Sequence, residues 1–276
     1  MLKTRIITAL VLLAVLLPVL YSNNTMAFAV VASAFFGAAI WECFRLFNPG
    51  TGRAVLIAVA WTAVFAYTFF ARPQANPTVW FSIGVVLWLL RFAPSLKLGL
   101  PPLNSTGNTL LSVLYALGVV SCFAAIVTLY QYSALFLLSV LAIVWAADIF
   151  AYVCGKTFGK NKLAPSISPG KSWEGAIGGG IVTLVLVSLT VLFGGEALAN
   201  TFAVRVQASF GWAGLIGILI LIVAASIVGD LFESQLKRRA GMKDSSNLLP
   251  GHGGVLDRID ALVPVLPLAA LAATWL

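Results

Sequence analysis

The chain has 276 residues, of which 61% are hydrophobic and only 9% are charged, and its formal net charge is +8. In soluble domains about a quarter of the residues are charged, so this composition excludes a soluble globular protein. The surplus apolar surface must face lipid, which predicts a polytopic membrane protein. In such proteins Lys and Arg hold loops on the cytoplasmic side, so the positive charge predicts membrane lipids, and no nucleic acid, as partners.

Apolar runs bounded by charged residues, proline or glycine predict an all-α fold with about nine membrane-spanning helices. The run after Lys3 and Arg5 resembles a signal peptide, but no small-residue cleavage site follows it, so we interpret it as the first span. A single membrane domain is expected over residues 1–276, with N-terminal helices in 1–140 and catalytic helices and cytoplasmic loops in 141–276. The fourth span is short, and all nine lie near residues 5–21, 26–46, 53–71, 78–93, 109–130, 132–153, 174–194, 211–234 and 256–276.

The distribution of basic residues orients these spans in the membrane. If the N-terminus lies in the cytoplasm, the cytoplasmic segments contain fourteen of the 17 Lys and Arg residues. The outer loops contain only Arg72 and Arg205, and Arg258 lies just inside the last span on the cytoplasmic side. Because this bias follows the positive-inside rule, we expect a cytoplasmic N-terminus and charged loops that face the cytoplasm.

Acidic residues cluster at a single depth, at the cytoplasmic ends of the last four spans. An ionisable residue inside a span costs about 2.5–3.5 kcal/mol on insertion scales, so such residues indicate a functional site. The four helix ends should therefore meet around a polar site. The residues concerned are Asp148, Glu174, Asp230, Glu233, Asp257 and Asp260.

Two loops rich in basic residues and glycine lie at the same depth. The first contains Lys171 and ends at Ser172, a predicted N-cap, after a turn expected at Pro169 and Gly170. The second covers residues 237–254, and the backbone N–H groups of its glycine-rich turn are expected to be free to bind an anion. Carboxylates suit Mg²⁺, whereas Lys, Arg and N–H groups suit phosphates, so the pattern predicts a polyphosphate bound with a divalent cation.

The second loop carries a longer pattern, which includes Lys243-Asp244, His252-Gly253-Gly254-Val255 and Asp257-Arg258-Ile259-Asp260. Over the 27 positions from Ser234 to Asp260, the run resembles the signature of the phosphatidate cytidylyltransferase family without a gap. Residues 148–152 and 167–175 also resemble that family. The first half of the chain is similar to it in layout and at Trp41-Glu42.

This resemblance implies a reaction in which CTP and phosphatidic acid give CDP-diacylglycerol and pyrophosphate. It implies Mg²⁺ held by Asp230 and Asp257, with a monovalent ion such as K⁺ as a further candidate at the same site. It also implies a homodimer in the inner membrane of a bacterium, with the active site facing the cytoplasm.

The resemblance and the charge pattern together define a set of candidate site residues. The candidate catalytic residues are Asp230, Asp257, Lys237 and Arg258, and either Arg238 or Arg258 would clamp the lipid phosphate. His252 is either a turn residue or a ligand contact, and Asp244 either pairs with a nearby base or touches ligand. The candidate ligand-binding residues are Ser168, Lys171, Ser234, Arg238, Lys243, Asp244, His252, Gly253, Gly254, Asp260 and Asp148.

Two other functions remain open from the sequence. A CTP-dependent polyprenol kinase would also place basic loops and carboxylates at a membrane surface, but it would release CDP instead of pyrophosphate. An ion or phosphate transporter would also contain carboxylates inside its spans. Transporters bind their substrates near the membrane midplane on broken helices, whereas the charges here lie at one end of the helices.

Overall fold

A computed structural model of the chain describes residues 2–22, 24–48, 52–71 and 76–276, without the side chains of Leu2, Lys3 and Arg5. Arg72, one of the two basic residues predicted in outer loops, lies outside the described residues. The helices of the first half are α1 (Leu2–Tyr21), α2 (Thr25–Phe47), α3 (Arg53–Ala66), α4 (Thr78–Leu87), α5 (Ala93–Leu98) and α6 (Thr106–Tyr132).

The second half begins with α7 and ends with two short helices. Its helices are α7 (Ala134–Phe158), α8 (Trp173–Phe193), α9 (Phe202–Arg239), α10 (Leu256–Ile259) and α11 (Leu262–Ala273). Between α7 and α8 lie two short strands, β1 (Lys162–Ala164) and β2 (Ser168–Ser172), and a 3₁₀ turn, Glu196–Leu198, follows α8.

Seven helical segments of the described chain are long and apolar enough to cross a membrane. Two shorter apolar helices, Ile6–Tyr21 and Leu262–Ala273, coincide with the first and last predicted spans. The all-α polytopic fold is therefore confirmed, while the count of nine spans stays a prediction.

The fourth span is longer than predicted. A π-helical stretch, Trp88–Phe92, joins α4 to α5, so the helical segment continues to Leu98. Pro94 lies in the first turn of α5. Proline lacks an N–H group and disrupts a regular α-helix, and the wider π turn before it lets the chain continue as a helix. The prediction that the fourth span ends near residue 93 was therefore wrong.

The eighth span is also longer than predicted, because α9 extends over 38 residues. Gly211 interrupts it with φ 67° and ψ −175°, a conformation that residues with a Cβ rarely adopt. The predicted start at residue 211 therefore marks a kink, and helical residues lie on both sides of it.

The predicted turn at Pro169 and Gly170 was wrong, because both residues lie in β2. This strand pairs antiparallel with β1, with Lys162 opposite Ser172. The turn instead lies at residues 165–167, where the Ile167 N–H donates to the Ala164 carbonyl at 3.1 Å. The ribbon places the first basic loop directly against the start of α8.

Close packing of α7 against α8 depends on glycine. A Cβ at Gly179 would lie 2.6 Å from the Ala151 nitrogen and 2.8 Å from the Ala147 oxygen. A Cβ at Gly180 would instead meet nothing nearer than Val223, at 3.5 Å. Contacts between small residues let the two helical backbones approach, and this fixes α7 beside the first basic loop.

Gly179→Ala should therefore destabilise the protein by about 1–3 kcal/mol, because the added methyl group overpacks two backbones. Gly180→Ala, the matched control, should be neutral or stabilising, since alanine is the better helix former. Thermal unfolding of both purified variants in detergent measures the difference. Equal melting temperatures for the two variants would contradict this account of the interface.

Candidate active site

An ion pair connects the first basic loop to α9. Lys171 Nζ lies 2.6 Å from Asp230 Oδ2, and the Ser234 hydroxyl, one helical turn further along, donates to Asp230 Oδ1 at 3.2 Å. Asp148 on α7 lies close enough to interact electrostatically with both Lys171 and Asp230. The structure thus brings together four of the predicted site residues, which come from three separate segments.

A second ion pair connects α9 to α10. Lys237 Nζ donates to Asp257 Oδ1 at 2.7 Å and to Glu233 Oε2 at 2.8 Å. The other oxygen, Asp257 Oδ2, accepts hydrogen bonds from the backbone N–H groups of Ser245 and Gly254, at 2.8 and 2.7 Å, and from the Ser245 hydroxyl. Asp257 is buried, and the hydrogen bonds from Lys237, Ser245 and Gly254 compensate its carboxylate for the loss of water.

A fully buried carboxylate on α2, Glu42, organises the second loop from the other half of the chain. Its oxygens accept hydrogen bonds from the N–H groups of Val255 and Leu256, at 3.0 and 2.6 Å. They also accept hydrogen bonds from the hydroxyls of Ser245 and Ser246. Because Ser245 contacts both Glu42 and Asp257, the two carboxylates belong to one hydrogen-bond network.

The prediction that the N–H groups of the glycine-rich turn are free was therefore wrong for the last part of the turn, from residue 254 onward. The N–H of Gly254 donates to Asp257, and the next two donate to Glu42, so protein carboxylates already fill this anion site. A side chain at Gly254 would collide with Ser245 and Glu42. Gly253 has φ 87°, which also favours glycine. These glycines shape the loop around carboxylates of the protein itself.

The first basic loop is held by Glu174. Its carboxylate accepts hydrogen bonds from the backbone N–H groups of Lys160 and Asn161 at 3.1 Å and from the Asn161 side-chain amide at 2.6 Å. Ser172 caps α8 as predicted, because its hydroxyl accepts a hydrogen bond from the Gly175 N–H at 3.2 Å. Glu174 therefore positions the loop that carries Lys171.

Several predicted site residues remain open to solvent. Arg238, Lys243, Asp244 and Arg258 are exposed, and within the described chain none of them forms an ion pair. The predicted pairing of Asp244 with a nearby base is therefore not formed. Ser168 is half-buried in β2. The two arginines and Lys243 thus present charge at the surface of the site, without an ion-pair partner in the described ranges.

His252 is half-buried and takes part in the turn. Its backbone N–H donates to the Leu249 carbonyl at 2.8 Å, as expected for a turn residue. Its Nδ1 atom is buried and finds no hydrogen-bond partner among the described residues. The turn interpretation thus accounts for the backbone of His252 and leaves one ring nitrogen available.

Carboxylates outnumber ammonium groups within this network. Asp260 lies beside Glu233 and close enough to Asp230 to interact with it electrostatically. Glu233 Oε1 is buried and has no hydrogen-bond donor in the described part of the chain. Among the side chains that the structure describes, only Lys171 and Lys237 form ion pairs with the five acidic residues Asp148, Asp230, Glu233, Asp257 and Asp260.

Five carboxylates with two lysine partners in ion pairs fit a site that takes up cations. Among the described residues, no three His, Cys, Asp or Glu side chains are grouped as a preformed metal cage. Mg²⁺ commonly binds through one or two carboxylates together with the phosphates of a substrate, and it does not require such a cage. The donor set of Asp230 and Asp257 therefore fits a divalent ion that binds together with a nucleotide.

Sequence reasoning gave no role to several residues that build this site. Glu42 and Ser246 were noted only within the resemblance, Glu233 only as an acidic residue at a helix end, and Ser245 was given no role. A buried acidic residue within an apolar run was the available signal for Glu42, since such a residue is costly without a partner.

Residues 3–276 match the cytidylyltransferase family. A phosphatidate cytidylyltransferase of Pseudomonas aeruginosa is 39% identical, over 100% of this chain and 99% of that protein. Phosphatidate cytidylyltransferases of Haemophilus influenzae and Bacillus subtilis are 34% and 31% identical, over 97% and 96% of this chain and 96% and 95% of those proteins. The chain belongs to the cytidylyltransferase family.

Proposed function

We propose that the chain is a phosphatidate cytidylyltransferase, which converts CTP and phosphatidic acid into CDP-diacylglycerol and pyrophosphate. The observation that carries this proposal is the pair of lysine–aspartate contacts, Lys171 with Asp230 and Lys237 with Asp257, which join two basic loops at one end of the helices. The names of relatives that cover nearly the whole chain support the same chemistry.

The lysines and arginines of the site would bind the triphosphate. Nucleotidyl transfer resembles phosphoryl transfer, in which positioning and charge neutralisation contribute most of the rate enhancement. Lys171 and Lys237 are already fixed by carboxylates, whereas Arg238 and Lys243 are exposed and free to turn toward phosphates. The fixed lysines would define the nucleotide position, and the exposed ones would close on the departing pyrophosphate.

Asp230 and Asp257 would hold Mg²⁺, whose positive charge would neutralise the triphosphate when it is bound. Their own charges would otherwise repel the phosphates, so nucleotide and cation should bind together. A second, monovalent ion such as K⁺, which the family resemblance implies, would share this site.

The lipid substrate supplies its own nucleophile. The phosphate of phosphatidic acid is already anionic at neutral pH, so the protein needs to orient it and requires no strong general base. Arg258 is exposed at the start of α10, beside Asp257, and can clamp a phosphate bidentately. With the basic loops in the cytoplasm, we place the enzyme in the inner membrane of a bacterium as a homodimer.

A direct assay tests this function. Purified protein in detergent is incubated with radiolabelled CTP, phosphatidic acid and Mg²⁺, and the lipid product is separated by chromatography. Labelled CDP-diacylglycerol and free pyrophosphate are expected, and chelation of the metal should stop their formation. In a parallel assay with a polyprenol in place of phosphatidic acid, release of CDP with a phosphorylated polyprenol would instead indicate the kinase, and the absence of any lipid product in both assays would contradict both enzymes.

Lys171→Gln should lower turnover about 100-fold, a typical loss when one preorganised electrostatic contact to a transition state is removed. The variant also leaves Asp230 without its cation, so the apparent affinity for CTP should fall. Lys160→Gln in the same loop is the matched control, because Lys160 is exposed and forms no ion pair among the described residues. Similar kinetics for both variants would argue against a role of Lys171 in nucleotide binding.

A further inference from the structure

A lipid-facing groove with a volume of about 720 Å³ lies between α2 and α3. At 1.5 Å per residue, its walls from Ser33 to Trp41 and from Val55 to Ala66 are about 12 and 16 Å long. One leaflet of the hydrocarbon core is about 15 Å deep, half of the total thickness. The groove thus has the length of a single leaflet, and its walls include Ala34, Gly37, Trp41, Val59, Ala63 and Leu248.

Most residues that line the groove are apolar, and the small side chains among them leave the space between the two helices unfilled. Ala34 and Ala63 are exposed on its walls, as is Val59, so the groove opens toward the membrane. No segment of the described chain fills it. In a bilayer, a slot of this depth and polarity matches one acyl chain.

The positively charged side chain of Arg45 lies at one end of the groove. Arg45 follows Trp41 by one helical turn, and its guanidinium carbon lies 5.4 Å from the centre of the Trp41 ring. Arg45 forms no ion pair with a carboxylate of the described residues. A stacked arginine above an apolar slot is complementary to a lipid that carries a phosphate above an acyl chain.

The groove is separated from the reacting groups by a buried wall. Glu42, Ser245 and Ser246 are all buried, and they close the space between the groove and Asp257. Leu248 is half exposed on the groove side, while its N–H donates to the Ser246 hydroxyl at 3.0 Å. A lipid in the groove would therefore press on the outer side of the second loop without touching the carboxylates.

We propose that this groove binds an anionic phospholipid of the surrounding membrane, distinct from the lipid substrate, with one acyl chain between α2 and α3 and its phosphate at Arg45. The lipid supports Leu248 and, through it, the loop that carries Ser245 and Ser246.

Native mass spectrometry of the full chain, released from detergent in the presence of phosphatidylglycerol or phosphatidylcholine, tests the proposal. The wild type should retain one phosphatidylglycerol in preference to phosphatidylcholine. Ala63→Leu should abolish this retention, because leucine fills the groove. Ala60→Leu is the matched control on the same helix, since Ala60 is exposed to lipid but does not line the groove.

The variant Arg45→Gln distinguishes the contribution of the lipid headgroup to binding from that of the acyl chain. It should weaken phosphatidylglycerol binding about fivefold, the effect of one basic residue at an anionic lipid surface, and leave phosphatidylcholine binding unchanged. Equal lipid retention by Ala63→Leu and Ala60→Leu would overturn the proposal. So would a KM for phosphatidic acid that rises in Ala63→Leu as much as phosphatidylglycerol binding weakens, because the groove would then belong to the substrate.

Discussion

Asp257→Asn is expected to abolish CDP-diacylglycerol formation. Asp257 is the acceptor for Lys237, for the N–H groups of Ser245 and Gly254, and for the Ser245 hydroxyl, and it is a proposed ligand of Mg²⁺. An asparagine has the same shape but lacks the charge, and its NH₂ group would face hydrogen-bond donors. Removing a single preorganised electrostatic group commonly costs 100- to 1,000-fold in turnover. Loss of both the proposed metal contact and the pairing with Lys237 should exceed that range.

The measurement is CTP turnover of the purified variant over a range of Mg²⁺ concentrations, together with its melting temperature in detergent. Asparagine keeps the volume of the side chain, so the helices should stay assembled. Glu196→Gln provides a control, because Glu196 is an exposed carboxylate in the 3₁₀ turn after α8. Near-normal turnover of Asp257→Asn would rule out Asp257 as the metal ligand.

Glu42→Gln is expected to damage both stability and activity. Glu42 is 0% exposed and accepts hydrogen bonds from two backbone N–H groups and two hydroxyls. A glutamine offers one oxygen, and its NH₂ group would meet a donor. Each buried donor left without an acceptor costs about 1–3 kcal/mol, so the loop should loosen and the apparent affinity for CTP should fall.

Thermal unfolding and the KM for CTP measure the two effects of Glu42→Gln separately. Because Glu42 does not reach the solvent, a selective rise in KM would show that it acts by positioning the loop of Ser245 and Gly254. Unchanged melting and unchanged kinetics would mean that the loop is held in place by Asp257 and Lys237 alone.

The parts of this protein that follow local rules were predictable from the sequence. Hydrophobic runs of membrane length located the long helices, and the N-cap at Ser172 was predicted from its residue type and position. The charge pattern predicted that the loop of Lys171 and the helix end of Asp230 would meet at one membrane depth, and the two residues form an ion pair. These predictions need only the period of the helix and the thickness of the bilayer.

The parts that depend on distant partners were not predictable in the same way. Glu42 and Leu256 are more than two hundred residues apart in the sequence. No local sequence pattern predicts which carboxylate accepts hydrogen bonds from the N–H groups of the turn. The continuation of the fourth span past Pro94 depends on a π turn, which propensities do not encode. Strand β2 contains Pro169 and Gly170, and these residue types predict a turn more readily than a strand.

The length of α9 determines where the reaction takes place relative to the membrane surface. From the kink at Gly211 to Arg239 the helix extends about 42 Å at 1.5 Å per residue, or about 39 Å along the membrane normal at an average tilt of about 20°. The hydrocarbon core is about 30 Å thick, so a helix that starts at one boundary emerges from the other with its last turns exposed to water. Lys237 and Arg238 then stand in the layer of lipid phosphates. A water-soluble triphosphate and a membrane-anchored phosphate can meet there, and neither has to enter the hydrocarbon core.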